Sequence, residues 1–259
     1  MDALVDVNVY LARWPFRRLP ADETPVLVSR LRSLGVEQAW AGSFEALLHR
    51  DVAGVNSRLA EECRRHGAGL LVPLGTVNPK LPDWEDDLRR CQQVHKMPGI
   101  RLHPNYHGYQ LDDPALGRLL DLAAERNLVV QIARTMEDER TQHPLVQVPH
   151  VDVAPLVDHA RRLPKLRIVL LNGFRTIRPE VVDRLAAAGN VWFDIAMLEG
   201  VGGVSKLVAQ TGADKIVFGS YAPFFNFESA LLKLQESPLG GVERRAIAAE
   251  NARKLLKGS

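Results

Sequence analysis

The residues best equipped for chemistry lie in one stretch, Gly99 to Tyr109, GIRLHPNYHGY, where an apolar run meets imidazoles, phenols and a guanidinium. Side chains of an extended strand alternate between faces, so Arg101 and His103 share the face opposite Ile100 and Leu102. If the apolar face packs on helices, the polar pair turns inward, where an unpaired guanidinium is costly. Such an arginine needs a partner or a ligand. A carboxylate partner makes it a structural ion pair; a ligand makes it part of a site. Imidazole titrates near neutrality, which suits His103 to general acid or base work, and Pro104 holds its backbone extended at the strand end.

The elements that position this stretch repeat along the chain. Short β-rich runs begin near Leu4, Val36, Leu70, Gly99, Leu128, Arg167, Val191 and Lys215, each followed by a segment with apolar residues three and four apart. Eight strand-helix units predict an α/β chain closed as a (β/α)8 TIM barrel, one domain over residues 1–259. An open doubly wound sheet is the alternative, but no G-x-G-x-x-G follows the first strand. Two connections are long: YLARWPFRRLPAD from Tyr10 to Asp22, and RTMEDERTQHPLVQVPH from Arg134 to His150. Both follow the C-terminal end of a strand, where barrels of this type carry their sites.

Turning each strand's apolar alternate toward the helices leaves an inward set of Asp6, Asn8 and Tyr10; Arg101 and His103; Gln131 and Ala133; Asn172; Trp192 and Asp194; and Gly219 and Tyr221. Barrel interiors are ordinarily filled by Val, Ile and Leu, so this polar interior reads as a site or as a buried hydrogen-bond network. In the network version, Asp6 or Asp194 neutralises Arg101.

Composition narrows the classes. A formal net charge of +2, from 33 basic and 31 acidic residues, gives no field that argues for nucleic acid or a membrane surface. Cys63 and Cys91 lie in helix-like runs and fit reduced core thiols, which with the absence of a signal-like N-terminus or a long apolar run predicts a cytoplasmic protein.

Taken together, the strand ends resemble the amidohydrolase superfamily, specifically its amidohydrolase-related group of metal-dependent hydrolases and decarboxylases. LVDVNVY is similar to that family's opening D-x-H-x-H strand, GIRLHP to its fourth strand and LLNG to its L-x-H-x-G. VFGSYAP is similar to F-G-S-D-x-P, and IAAENARKLLK to the closing helix. Where the family has metal-binding histidines this chain has Asn8, Tyr10 and Asn172, and Tyr221 stands in place of the catalytic Asp. Neutral amides and phenols are poor ligands for a divalent ion, and HPNYH among His103, His107, His143 and His150 is not a recognised metal spacing. The resemblance therefore implies a degenerate metal site, with no metal and no other cofactor.

The family also includes metal-free lactonases. The resemblance thus implies a hydrolase acting on a small anionic lactone, ester or amide at the barrel mouth, with a decarboxylase-like activity as a variant. His103 would be the acid or base, with Asp194 and Tyr221 as the other catalytic residues. Arg101 and Arg134, with Arg13 or Arg17, would clamp carboxylates; Asn172, like Tyr221, would donate to the oxyanion. Asn8, Tyr10, Tyr106, His107 and His143 complete the substrate-binding set. The alternative is a non-catalytic pseudoenzyme of the same fold that binds a ligand or partner. The aromatic runs RWPF and YAPFFNF fit either the pocket rim or a homo-oligomer surface.

Overall fold

A computed structural model describes residues 3–173 and 177–257. Eight parallel strands form in the expected places: β1 Leu4–Leu11, β2 Val36–Ser43, β3 Leu71–Pro73, β4 Gly99–Leu102, β5 Val129–Ala133, β6 Arg167–Leu171, β7 Val191–Asp194 and β8 Ile216–Val217. Continuous ladders run β1-β2-β3 and β4-β5-β6-β7-β8. Two seams close the ring. Arg101 N–H donates to the Gly75 carbonyl at 2.7 Å between β3 and β4, and Val7 N–H to the Phe218 carbonyl at 2.9 Å between β8 and β1.

The helices between them are α1 Thr24–Ser33, α2 Val52–His66, α3 Trp84–Gln93, α4 Pro104–His107, α5 Pro114–Glu125 and α6 Leu156–Arg162. There follow α7 Pro179–Ala187, α8 Gly203–Thr211, α9 Phe227–Glu236, α10 Gly241–Arg245 and α11 Asn251–Lys257. Local chemistry sets their starts. Asp51 accepts from Gly54 N–H at α2, and Asp113 from Ala115 N–H ahead of Pro114 at α5, each satisfying an orphan donor of the first turn. No helix among the described residues is long and apolar enough to cross a membrane. Cys63 and Cys91 are free and buried, with burial pushing each thiol up to about 12.

The interior is layered along the barrel axis. The lower layer packs Val5, Val7, Val129, Val169 and Val217 against Ala249, Ala252 and Leu255 of the C-terminal helices, which plug the bottom. The upper layer is aromatic and sulfur-rich, built on Tyr10, Trp14, Phe44, Met136, Met197 and Tyr221. Strict alternation fails on β1. A register shift between Asp6 and Val9 sends Val5 and Val7 to the lower layer and Tyr10 to the upper one, so Asp6 does not share one continuous face with Asn8 and Tyr10. Trp192 likewise packs at the edge of the lower layer, its indole N–H bonded to the Asp214 carbonyl, away from the mouth.

Candidate functional site

Between the two layers lies Arg101, fully buried. Its partner is neither Asp6 nor Asp194, the carboxylates expected from the sequence. The guanidinium donates to Gln131 Oε1 at 2.7 Å, to the Val9 carbonyl at 2.8 Å, and to the Val7 and Trp40 carbonyls at 3.0 Å each. Its carbon sits 4.4 Å from the centroid of the Tyr10 ring. Backbone carbonyls satisfy the donors without bringing a second charge into the core. Gly42 makes room for this, since a Cβ there would lie 2.8 Å from Arg101 Nη1.

Above Arg101 the strand ends bring six predicted residues together: Asn8, Tyr10, His103, Asn172, Asp194 and Tyr221. Asn8 Nδ2 donates to Asn172 Oδ1 at 2.8 Å and to Asp194 Oδ2 at 2.6 Å, while Asn172 N–H donates to Asp194 Oδ1 at 2.9 Å. Burial lifts the Asp194 carboxyl to about 6 despite these donors. Asp6, bonded instead to Ser220 and to Asn8 N–H, is lifted by burial to about 7, with the nearby Asp194 charge adding to the rise. Tyr10 Oη and His103 Nε2 are 3.0 Å apart, and burial holds the imidazole pKa well below its ordinary value, so the ring is neutral at pH 7. Burial likewise raises Tyr10 to about 12. Two buried atoms of this group, Asn8 Oδ1 and His103 Nδ1, have no hydrogen-bond partner among the described residues.

Two residues at this level have left-handed backbone. Asn172 and Tyr221 adopt φ of 56° and 62°, a conformation that asparagine accepts readily and that costs a residue such as tyrosine roughly 1–2 kcal/mol. Gly219 lets β8 approach closely, as a Cβ there would lie 2.7 Å from Asp194 Oδ2.

A cleft of about 800 Å³ opens above this group, lined by the loops after β1, β5, β7 and β8. Arg17, Arg18, Arg140 and Lys233 supply cations, and Glu137, Asp138 and Glu199 anions. Lys233 reaches from α9 to donate to the Ile195 and Ala196 carbonyls at 2.8 and 2.9 Å. Between cleft and centre lies an aromatic roof: Phe224 stacks on Tyr221 at 4.8 Å between centroids, and Trp14 meets Phe224 and Phe44 edge-on. The Tyr221 hydroxyl donates to the Met136 carbonyl at 2.6 Å. Both long connections singled out in the sequence contribute to the cleft.

Of the other predicted residues, Arg17 lines the cleft, Tyr106 and His107 flank the central group, with the His107 ring edge-on to His103 at 5.9 Å, and Arg134, His143 and Arg13 lie apart from both. Tyr106 packs beside the upper layer. His107 Nε2–H donates to the Ala46 carbonyl at 2.8 Å. Arg134, just past the end of β5, is buried within reach of the Asp152 and Glu139 charges, and its Nε and Nη1 have no hydrogen-bond partner among the described residues. His143 is exposed and accepts from Leu145 N–H. Arg13 lines a separate groove of about 330 Å³ with Glu45 and Arg58. Phe224 belongs to the aromatic run YAPFFNF expected at the pocket rim and Glu137 to the long connection after the fifth strand, whereas Lys233, on α9, carried no signal of its own.

The geometry defines a (β/α)8 barrel whose mouth carries a sealed polar centre beneath an open charged cleft. The amidohydrolase family model matches residues 12–258, and the chain belongs to that family. No curated protein sequence matches it. Among solved structures it is similar to 5-carboxyvanillate decarboxylase from Sphingomonas paucimobilis (12% identity, TM-score 0.75, 100% of both chains covered). It is also similar to 2,6-dihydroxybenzoate decarboxylase complexed with 2,6-dihydroxybenzoate (16% identity, TM-score 0.74, 99% of this chain and 100% of that one). A third is dihydroxybenzoic acid decarboxylase from Polaromonas sp. JS666 with bound manganese and 2-nitroresorcinol (14%, TM-score 0.74, 99% and 97%). At these identities the likeness shows the fold.

The strand ends of this chain do not fit such an ion. Asn8, Tyr10, Asn172 and Tyr221 offer neutral oxygens, and both Asp194 oxygens already accept hydrogen bonds. Among the described residues no group of three or more His, Cys, Asp or Glu is placed to hold a metal.

Proposed function

We propose that this protein is a metal-independent hydrolase of the amidohydrolase family that takes a small organic anion, a lactone, ester or amide bearing a carboxylate, into the mouth cleft. The observation that carries this is the unpartnered pair His103 Nδ1 and Asn8 Oδ1 at the strand ends. A buried polar atom left unpaired costs roughly 1–3 kcal/mol, a cost that a bound water or substrate would offset. In the tautomer with the proton on Nε2, His103 donates to Tyr10, the Tyr10 proton turns to Met136 Sδ at 3.6 Å, and Nδ1 presents a free lone pair. That lone pair is the general base: it takes a proton from water as the oxygen adds to the carbonyl carbon, then returns it to the leaving oxygen or nitrogen. Asp194, through Asn8 and Asn172, positions the amides around the reacting centre. The cationic side chains of the cleft receive the substrate's carboxylate.

A binding-only protein is the second reading. Its support is that Asn8, Asn172 and Asp194 bond one another and the whole centre is buried.

The deciding experiment screens small carboxylate-bearing lactones, esters and amides with chelator-treated enzyme, alongside elemental analysis. The expected result is turnover that survives chelation and falls by roughly 10²- to 10⁴-fold in His103→Asn with the fold retained. Stoichiometric manganese, zinc or iron held at the barrel centre and required for turnover would overturn metal independence. Anion-induced stabilisation without turnover of any substrate would select the binding protein.

A further inference from the structure

One ion pair spans the barrel mouth. Arg17 Nη1 lies 2.5 Å from Glu137 Oε1, joining the loop after β1 to the loop after β5. These strands stand opposite each other in a ring of eight, so the bridge crosses over the axis. The same guanidinium rests 5.0 Å from the centroid of the Phe224 ring, and Phe224 in turn lies face to face with Tyr221. Tyr221 is tied to the Met136 carbonyl, the residue preceding Glu137. Cation, two rings and carboxylate therefore form one closed strap, and Tyr10 and His103 lie beneath it.

The strap is asymmetric. The Glu137 side chain is 5% exposed and that of Arg17 48%, so a molecule in the cleft meets the cation first. We propose that the Arg17–Glu137 pair is an anion-operated latch: a carboxylate in the cleft takes the guanidinium from Glu137, Phe224 loses the cation that holds it over Tyr221, and a path opens to His103 Nδ1. A neutral ligand of the same shape supplies no replacement for the charge-assisted bond, which is roughly twice as strong as a neutral one, and leaves the strap closed. The latch thus selects for charge before size. It rests on the cleft's taking a small organic anion.

The test follows the accessibility of His103. Diethyl pyrocarbonate acylates neutral imidazole, and mass spectrometry reports the modification of His103 against exposed His49, with deuterium uptake over residues 221–226 as a second readout. In Glu137→Gln, without ligand, modification of His103 is expected to rise roughly tenfold while His49 stays constant. Phe224→Leu, which removes the stacking and leaves the ion pair, is expected to open the same path. In the unaltered protein, benzoate is expected to reproduce the effect and benzamide not. Deuterium uptake on β2 checks that the variants stay folded. Unchanged His103 reactivity in both folded variants overturns the latch, whether or not benzoate binds. Benzoate that raises the melting temperature without exposing His103 also overturns it while leaving the anion site intact. Open variants in a protein whose His103 reactivity and melting temperature do not respond to benzoate overturn both the ligand-driven opening and the anion site beneath it.

Discussion

Arg101 and Arg17 are both guanidiniums near the barrel axis, and their surroundings separate the two regions they belong to. Arg101 is fully buried, and its hydrogen bonds go to three carbonyls and Gln131. Arg17 is half exposed, holds one carboxylate and rests on one ring. The first is part of the wall, since its bonds reach β1, β2 and β5 and no incoming group can replace them all. The second can exchange partners by moving one side chain. An inward-pointing arginine is thus a strand fastener when its neighbours are backbone oxygens, and a recognition group when its partner is a single carboxylate open to the cleft.

The largest effect expected from this contrast is on stability. Arg101→Met takes the guanidinium donor from the Val9 and Trp40 carbonyls and from Gln131 Oε1, while the Val7 carbonyl keeps the Gln131 amide, and at about 1–3 kcal/mol for each orphaned acceptor the loss is on the order of 5 kcal/mol, measured by urea denaturation. A variant with near-normal stability and impaired anion binding would erase the contrast and return Arg101 to the clamp expected from the sequence.

The next effect depends on pH. Asp6 has its folded pKa raised to about 7, so the folded state holds a proton that the unfolded chain releases near 3.8. Its contribution is complete below the unfolded value and is lost as pH rises through the folded one, a fall of roughly 2–3 kcal/mol between pH 5 and 8. His103 and His107 act in the opposite sense: burial lowers both, so their contribution is lost as pH falls below about 6.5. Asp6→Asn keeps an oxygen for the Asn8 and Ser220 N–H groups, so the stability difference from the unaltered protein isolates Asp6 and should shrink as pH rises. Parallel melting-temperature curves would show that Asp6 does not carry the buried proton.

Close packing of the centre gives a third handle. Gly219→Ala would press a methyl group against Asp194 Oδ2 and the Asn8 Cβ, and the strain is expected to cost about 1–3 kcal/mol by denaturation. The smallest stability effect falls in the cleft. Arg140, paired with Asp138 at the surface, can be changed to Ala with no measurable shift in melting temperature, while benzoate binding by calorimetry weakens several-fold. Equal binding in that variant would place the anion elsewhere in the cleft.

The fold was legible in the sequence because burial acts on whole strands. The runs at Val36, Gly99, Arg167 and Val191 begin where β2, β4, β6 and β7 begin, and those at Leu70, Leu128 and Lys215 start one residue early. The central group was legible by parity wherever a strand is regular, as for Arg101, His103 and Asp194. Parity failed on β1, where the register shift is not written in residue types. It also gives no partners: the carbonyls that hold Arg101 belong to no side-chain alphabet. The cleft was the least visible part, because Arg17, Glu137 and Lys233 meet only after three separate connections have folded over the mouth.

The seam between the first and last strands bears on how the chain is made. Val7 waits for Phe218, and Tyr10 for Ala222, before β1 gains its second neighbour, and the lower layer waits longer still for Ala252 and Leu255. At synthesis rates of about 5–20 residues per second, β1 leaves the ribosome roughly 10–40 s before its partner exists. During that interval the apolar floor of a nascent seven-eighths barrel is open to solvent, and the final helical turns act as the stopper that ends its exposure to chaperones and to neighbouring chains.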